Sequence, residues 1–192
     1  MKGRDNSIQN LKRLYRPVFS DDEVVETREF VSLQSKLVRT IKKQDFIQTD
    51  RRLGRRTYSL PGHFIVLPPK LTKWTMLEVP LTKYIDDWNR IEESGFRRIV
   101  AEARRDPDSR RLMVFNDQNY DKIYPCFTSF QFVATKRKEF DMYVYQRSAD
   151  VAKLKDDLVF FGTVAKEFQR ATLMPVTKIV VVYGHCHIET KE

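Results

Sequence analysis

The segment "KIVVVYGHCHIE", residues 178–189, predicts a strand at the centre of a β-sheet. Its residues 179–183 are all apolar, and a strand that is apolar on both faces must be covered on both sides. Just upstream, Phe161, Ala165 and Phe168 recur at helical spacing, and Pro175 ends the pattern. The C-terminal part of the chain therefore predicts a helix over about 158–174 and then a central strand.

Three segments further upstream predict successive strands, because each is rich in aromatic and β-branched residues. They are "RRLMVF", "CFTSFQFV" and "EFDMYVYQ", at residues 110–115, 126–133 and 139–146. The charged sequence "KRKE" predicts a tight turn between the last two of them. This assignment puts Cys126 inside a strand.

The N-terminal half predicts helices and a hairpin. Ser20 and Glu23 form a capping-box pattern followed by apolar residues at helical spacing, so we expect a helix over about 21–42 that ends before Asp45. The stretch "RRLGRRTYSLPGHFIVL", residues 51–67, predicts a hairpin or two short strands broken at "PG". Another helix is expected over about 96–103, followed by a turn at "DPDS".

These elements predict one α+β (mixed α/β) domain, in which helices pack on a large mixed sheet. A chain of 192 residues, of which 41% are hydrophobic, buries one substantial core and is short for two. Residues 1–20 carry scattered basic side chains and little apolar periodicity. We therefore expect a basic N-terminal arm over 1–20 and a single domain over 21–192.

Composition limits the classes of function. No apolar run approaches the ~20 residues of a membrane span, and the first residues lack the apolar core of a secretory signal, so we expect a cytoplasmic protein without a membrane partner. Two cysteines are too few for a disulfide framework, which leaves thiol chemistry available. The formal charge of +9 indicates an anionic partner, either a mononucleotide or a polyanion.

Five short segments carry a resemblance to a known family. They are "RRLGRRTYSLPGH" at 51–63, "DPDSRR" at 106–111, "YPC" at 124–126 followed by "FQF", "YQRSAD" at 145–150, and "GHCHIE" at 184–189. In this order and spacing they resemble the thymidylate synthases and the related pyrimidine nucleotide hydroxymethylases. The resemblance covers residues 52–189 and implies a thymidylate synthase-like fold and transfer of a one-carbon unit to C5 of a pyrimidine nucleotide.

The resemblance implies a role for each residue of the site. Cys126 is the nucleophile, and Arg147 lies beside its thiol and on the substrate phosphate. Glu78, which organises water and proton transfer at the base, and Asp150 complete the catalytic set. The residues implied in substrate binding are Arg52, Arg110, Arg111, Gln146, Ser148, Asp157 and His187.

The chemistry itself requires these residue types. A pyrimidine C5 is a poor nucleophile until a thiolate adds at C6, after which C5 can attack an activated one-carbon unit. Free cysteine has a pKa near ~8.5, so a cation beside the thiol is needed to populate the thiolate. Guanidinium groups also bind phosphate oxygens in pairs, which suits a pyrimidine nucleoside monophosphate. The resemblance adds 5,10-methylenetetrahydrofolate as cofactor. It also adds a homodimer with shared sites, since Arg110 and Arg111 resemble a pair donated across a two-fold axis.

Two positions bear on which base is bound. The family reads the base edge with an asparagine eight residues after the aspartate of "QRSxD", and with an aspartate in relatives that act on cytosine. An ungapped count from Asp150 reaches Leu158, whereas a shift of one residue brings in Asp157, beside Asp156. A carboxylate there accepts from a cytosine amino group and repels O4 of uracil. Where the family has a tyrosine next to the ribose, this chain has Glu189.

Each assignment has a simpler structural alternative. A cysteine in a strand is usually buried filler, a doubled arginine is usually a solvated turn, and "QRSAD" alone fits a polar sheet edge in which Asp150 pairs with Arg147. His185 and His187 face one side of a strand near Cys186, but a closed zinc site needs about four ligands, so we expect no metal. Alternating aromatic residues in strands are more often core than a base-stacking surface, so nucleic acid is not the expected partner.

Three functions remain open on the sequence. The first is methyl transfer of the thymidylate synthase kind, and the second is hydroxymethyl transfer to dCMP, CMP or dUMP, favoured by Asp157. The third is a non-catalytic relative that binds nucleotide or nucleic acid, favoured by Leu158. Salt separates the third from the others, because polyanion binding weakens steeply as salt rises.

Overall fold

The computed structural model describes residues 16–17, 27–50, 55–67, 69–77, 95–115, 126–135 and 139–190, which form four α-helices and eight strands. The helices are α1 (Thr27–Gln44), α2 (Pro69–Leu77), α3 (Arg97–Arg105) and α4 (Leu154–Thr172). The strands are β1 (Arg16–Pro17), β2 (Ile47–Asp50), β3 (Arg55–Leu67), β4 (Met113–Phe115), β5 (Phe127–Ala134), β6 (Phe140–Gln146), β7 (Ala149–Asp150) and β8 (Val176–Glu189). A short 3-10 turn, Val151–Lys153, joins β7 to α4.

The strands form one mixed sheet in the order β1-β3-β8-β6-β5-β4, with β2 paired to β3 and β7 paired to β8. β8 runs antiparallel to β3 on one side and parallel to β6 on the other. Its apolar run is buried on both faces, as Val180 and Val181 show. The predicted central strand and the predicted mixed α/β fold are both confirmed.

The main hydrophobic core lies between one face of this sheet and the helices. α4 contributes the most aromatic part of it: the ring of Phe168 stacks on Phe132 of β5, with ring centroids 3.7 Å apart. α4 ends at Thr172, before Pro175, as its sequence predicts, and Leu173 takes a left-handed conformation (φ 61°) that turns the chain into β8. No helix in the described ranges has the length and apolar character to cross a membrane.

The other face of the sheet carries an apolar cluster built from strands. Its buried members are Phe64, Tyr143, Val180 and Val182, and the half-buried Val66, Val133 and Tyr145 surround them. Among the described residues, no helix contributes to this strand-only cluster. The two faces therefore differ in what covers them.

β8 exchanges its two faces at Gly184. Val181 and Tyr183 face the helices before the glycine, and Cys186 and Ile188 face them after it, which breaks strict alternation. A Cβ atom on Gly184 would lie 2.7 Å from the carbonyl oxygen of Arg147, so only glycine allows the two backbones to approach this closely. His185 and His187 consequently face away from the helices.

β3 makes the same exchange opposite Gly184. Gly62, whose φ is 60°, lies between Pro61 and His63, which pair with residues on either side of Gly184. The expected break at "PG" is therefore wrong: β3 is continuous, because glycine at a positive φ absorbs the distortion and pairing with β8 holds both halves. The consequence is that Ser59 lies on the same face as the two histidines of β8.

The other local predictions differ from the structure only at the ends of elements. α1 ends at Gln44, before Asp45 as predicted, and its expected first turn over 21–26 lies outside the described residues. The interior strand position expected for Cys126 is wrong, because β5 begins at Phe127 and Cys126 lies in the turn before it. The first three residues of the predicted "KRKE" turn, 136–138, lie outside the described residues.

Candidate active site

Cys126 and Arg147 are brought side by side by β5 and β6. Phe127 and Gln146 are paired residues at the ends of these strands. One residue beyond each, the backbone N–H of Arg147 donates to the carbonyl of Cys126 at 2.7 Å. Cys126 is half-buried and Arg147 is exposed. The turn thus places a partly accessible thiol next to the residue that the sequence assigns as its cation.

Ser148 and His187 meet one strand further along. Ser148 Oγ lies 3.4 Å from Nδ1 of His187, a long hydrogen bond between two half-buried side chains. β7 and β8 run parallel here, with Asp150 paired to His187. The structure therefore brings together Cys126, Arg147 and the two polar residues assigned to phosphate and ribose.

A second polar group on the same face includes residues that sequence reasoning missed. His185 Nε2 lies 3.4 Å from the hydroxyl of Ser59, which lies 3.3 Å from the hydroxyl of Thr57. Ser59 is fully buried. The available sequence signal was a pair of hydroxyl residues two apart in a strand, but their partner becomes visible only with the register between β3 and β8. The pKa of His185 is lowered mainly by burial, and further by the charges of His187 and Arg147.

On the helix face, Gln146 and Asp157 form a buried polar pair. Their side chains are 3% and 4% exposed, and Gln146 Nε2 donates to Asp157 Oδ2 and to the carbonyl of Ser148, both at 2.9 Å. Gln146 Oε1 has no hydrogen-bond partner among the described residues. Asp156 is exposed, and Leu158 is buried in the main core. Of the three candidate positions in α4, Asp157 is therefore the buried polar one.

The charge of Asp157 also reaches Cys186. Burial, and then this carboxylate, raises the pKa of the Cys186 thiol far above its usual value. Cys186 is fully buried and faces the helices, so its thiol stays protonated at neutral pH. It serves as core filler, the role that was the simpler alternative for Cys126.

Asp150 has a local structural contact. Its Oδ1 accepts from the backbone N–H of Ala152 at 3.0 Å and caps the 3-10 turn that leads into α4. The side chain is half-buried, and no other hydrogen bond to it is formed by the described residues. Oδ2 is therefore free of described partners.

Arg110 and Arg111 lie away from the thiol. Both are exposed, and the carbonyl of Arg110 accepts from Gln131 at 3.4 Å. Gln131 stands five positions along β5 from Cys126, which corresponds to about 17 Å of extended chain. The Arg110 backbone therefore lies beside a part of β5 that is remote from Cys126 along the strand.

Two further site residues and one substituted position complete the comparison with the sequence. Arg52 and Glu78 lie outside the described residues. Glu189, at the end of β8, accepts a hydrogen bond from Arg55 and forms an exposed ion pair with it. The position at which the family has tyrosine is thus occupied by a carboxylate already engaged by an arginine.

Comparisons with known proteins identify the family and support the fold. The family described as thymidylate synthase matches residues 73–191, which is more than half of the chain. The crystal structure of thymidylate synthase from T4 phage superposes with a TM-score of 0.60 at 17% sequence identity, covering 83% of this chain and 77% of that one. At that identity the superposition speaks for the fold, and the match to the family carries the assignment. The chain belongs to the thymidylate synthase family.

Proposed function

We propose that the protein transfers a one-carbon unit to C5 of a pyrimidine nucleoside monophosphate, with Cys126 as the nucleophile. The observation that carries the proposal is the hydrogen bond from Arg147 N–H to the Cys126 carbonyl, which ties the two residues together at 2.7 Å. This backbone bond holds the half-buried Cys126 next to Arg147 at the ends of β5 and β6. The guanidinium of Arg147, exposed at the end of β6, can bind the phosphate.

The residues divide the reaction between them. The Cys126 thiolate adds to C6 and makes C5 nucleophilic, so that C5 bonds to the one-carbon unit. The C5 proton is then lost as the unit is released from its carrier, hydride or water completes the new substituent, and the thiolate leaves C6 to restore the ring. Ser148 and Arg52 are the further phosphate ligands and His187 binds the ribose hydroxyl. Glu78 is the candidate for proton transfer.

Methylenetetrahydrofolate carries donors that suit the acceptor oxygen of Asp150. Oδ2 of this half-buried carboxylate has no hydrogen bond from the described residues, and it can accept from amino and ring N–H groups of a pterin. When bound, the cofactor supplies the one-carbon unit and, in the methyl-forming version, the hydride. Asp150 would hold it beside the nucleotide.

The remote position of Arg110 and Arg111 supports a homodimer. Both side chains are exposed, and Gln131, which donates to the Arg110 carbonyl, lies about 17 Å of extended strand from Cys126, so the pair is available to a second copy. A two-fold dimer would then give each site its phosphate pair from the partner.

Hydroxymethyl transfer to a cytosine nucleotide is the second candidate, and the buried Gln146–Asp157 pair favours it. The carboxylate of Asp157 and Oε1 of Gln146, which has no partner among the described residues, are both acceptors, so a ligand with an amino group satisfies them better than one with a carbonyl. Cytosine carries such a group at C4 and uracil does not. In this version water, instead of hydride, completes the product.

The test is to incubate the protein with dUMP, dCMP or CMP, each with methylenetetrahydrofolate, and to weigh the nucleotide product by mass spectrometry. A gain of one methyl or one hydroxymethyl group on one nucleotide is expected. Cys126→Ser should abolish turnover and keep nucleotide binding, while Cys186→Ala, which removes the other thiol, should keep turnover. Full activity in Cys126→Ser, or an unmodified product in all three incubations, would contradict the proposal.

A further inference from the structure

His185 is a half-buried side chain of β8 that none of these roles uses. It lies two residues before His187 on the same face. The two rings stand nearly perpendicular, at 84°, with centroids 5.5 Å apart. On its other side, Nε2 lies 3.4 Å from the hydroxyl of the fully buried Ser59. The ring therefore bridges β3 and the proposed ribose ligand.

The hydroxyl groups around Ser59 select one tautomer of His185. The carbonyl of Gln48 can only accept, so Thr57 donates its single hydroxyl hydrogen to it, at 3.5 Å. Ser59 can then donate to Thr57, 3.3 Å away, and in that arrangement its oxygen accepts from the imidazole. The arrangement puts the proton of a neutral His185 on Nε2 and the lone pair on Nδ1.

The charges on this face favour a neutral ring. Arg147 adds a permanent positive charge near His185, and a protonated ring would repel it. Of the two carboxylates, Glu189 is paired with Arg55 and Asp150 caps the turn into α4. The described charged and titratable side chains on this face include Arg55, Arg147, Asp150, His187 and Glu189, with Tyr143 and Tyr145 further along β6; the Cys126 thiol lies in the turn next to Arg147.

We propose that His185 is a positioning residue of the nucleotide site: its neutral imidazole, anchored by Nε2–H to Ser59, fixes the ring of His187 and leaves room for the guanidinium of Arg147. The identity of the ligand rests on the proposed function, whereas the state of the ring does not. Loss of the anchor removes the ring contact that supplements the Ser148 bond to His187, so the His187 ring is held less firmly, and loss of neutrality displaces Arg147. Both changes weaken nucleotide binding without removing a group that contacts the nucleotide.

The first arm of the test examines the ring without any ligand. Long-range proton–nitrogen NMR spectra of the ¹⁵N-labelled protein should show His185 neutral with its proton on Nε2 at a pH of about 6.5, the ordinary histidine midpoint. Its signals are assigned by their absence in His185→Leu. A proton on Nδ1, a charged ring at this pH, or His187 ring signals that are the same in His185→Leu as in the native protein would each overturn the inference.

The second arm first measures by calorimetry how tightly the native protein binds dUMP, dCMP and CMP. The nucleotide that it binds best is then titrated into the variants. His185→Leu should weaken binding roughly tenfold, and His185→Gln, whose Nε2–H can still reach Ser59, should stay within about threefold of native. Native-like binding by the leucine variant, or equal weakening in both, would overturn the inference. Backbone amide spectra of both variants should match the native spectrum away from β8. If the native protein binds none of the three nucleotides, the proposed function fails and the first arm alone decides the role of His185.

Discussion

Replacing Asp157 by asparagine is expected to move the nucleotide preference from cytosine toward uracil. Asp157 is 4% exposed and accepts from Gln146 at 2.9 Å. Asparagine can keep that bond through its Oδ1, but it presents an N–H where the carboxylate presented a second acceptor. The cytosine amino group then loses its acceptor, and O4 of uracil gains a donor.

The size of the effect follows from the burial of this pair. A buried polar group left without a partner costs about 1–3 kcal/mol, or roughly fivefold to a hundredfold in affinity. Because the substitution penalises one base and favours the other, the ratio of the two dissociation constants should change by at least about tenfold. The fold should be little affected, since the bond to Gln146 survives.

The assay is calorimetric titration of dCMP and dUMP into the native protein, Asp157→Asn and Asp156→Asn. Asp156 is the matched control: it is the adjacent residue of α4, it carries the same charge, and it is exposed. Its variant should bind both nucleotides like the native protein. An unchanged ratio in Asp157→Asn, or an equal shift in both variants, would refute the idea that a buried carboxylate selects the base.

Three other predictions concern stability, assembly and the turn beside the thiol. Burial lowers the pKa of His63 to about 4. The unfolded chain therefore binds a proton at His63 more readily than the folded protein does. As the pH falls from 7 to 5, the free energy of unfolding should decrease by about 2 kcal/mol. His63→Phe should remove that share of the slope in urea titrations, and an unchanged slope would contradict it. Arg111→Ala and Cys126→Ser should each be inactive alone. An equal mixture of the two variants should regain about a quarter of native activity, because half of the dimers are hybrids and each hybrid holds one intact site. A monomer in sedimentation, or no regained activity, would argue against shared sites. A Cβ atom at position 184 would lie 2.7 Å from the Arg147 carbonyl oxygen and would push it out of place. Gly184→Ala should therefore lower kcat roughly tenfold to a hundredfold in steady-state assays. A native kcat would show that this close approach is dispensable.

Local patterns in the sequence predicted most of the elements and the family. The apolar run of β8 required a central strand, and Pro175 required α4 to end before it. Cys126 and Arg147 could be assigned because each stands in a short motif whose order along the chain resembles the family. Such signals are readable in one dimension, since side-chain periodicity and turn chemistry depend on neighbours in sequence.

The tertiary structure decided what depends on pairing between distant segments. β3 passes through Pro61 and Gly62 unbroken because β8 pairs with both halves, a constraint that the "PG" sequence does not carry. The same register places Ser59 beside His185, and the fold of α4 onto the sheet selects Asp157 over its neighbours. The sequence by itself determined which residue types are present and which short elements they form. Which side chains meet was decided by strand register, face exchange and burial, since these are properties of contacts between segments far apart in the chain.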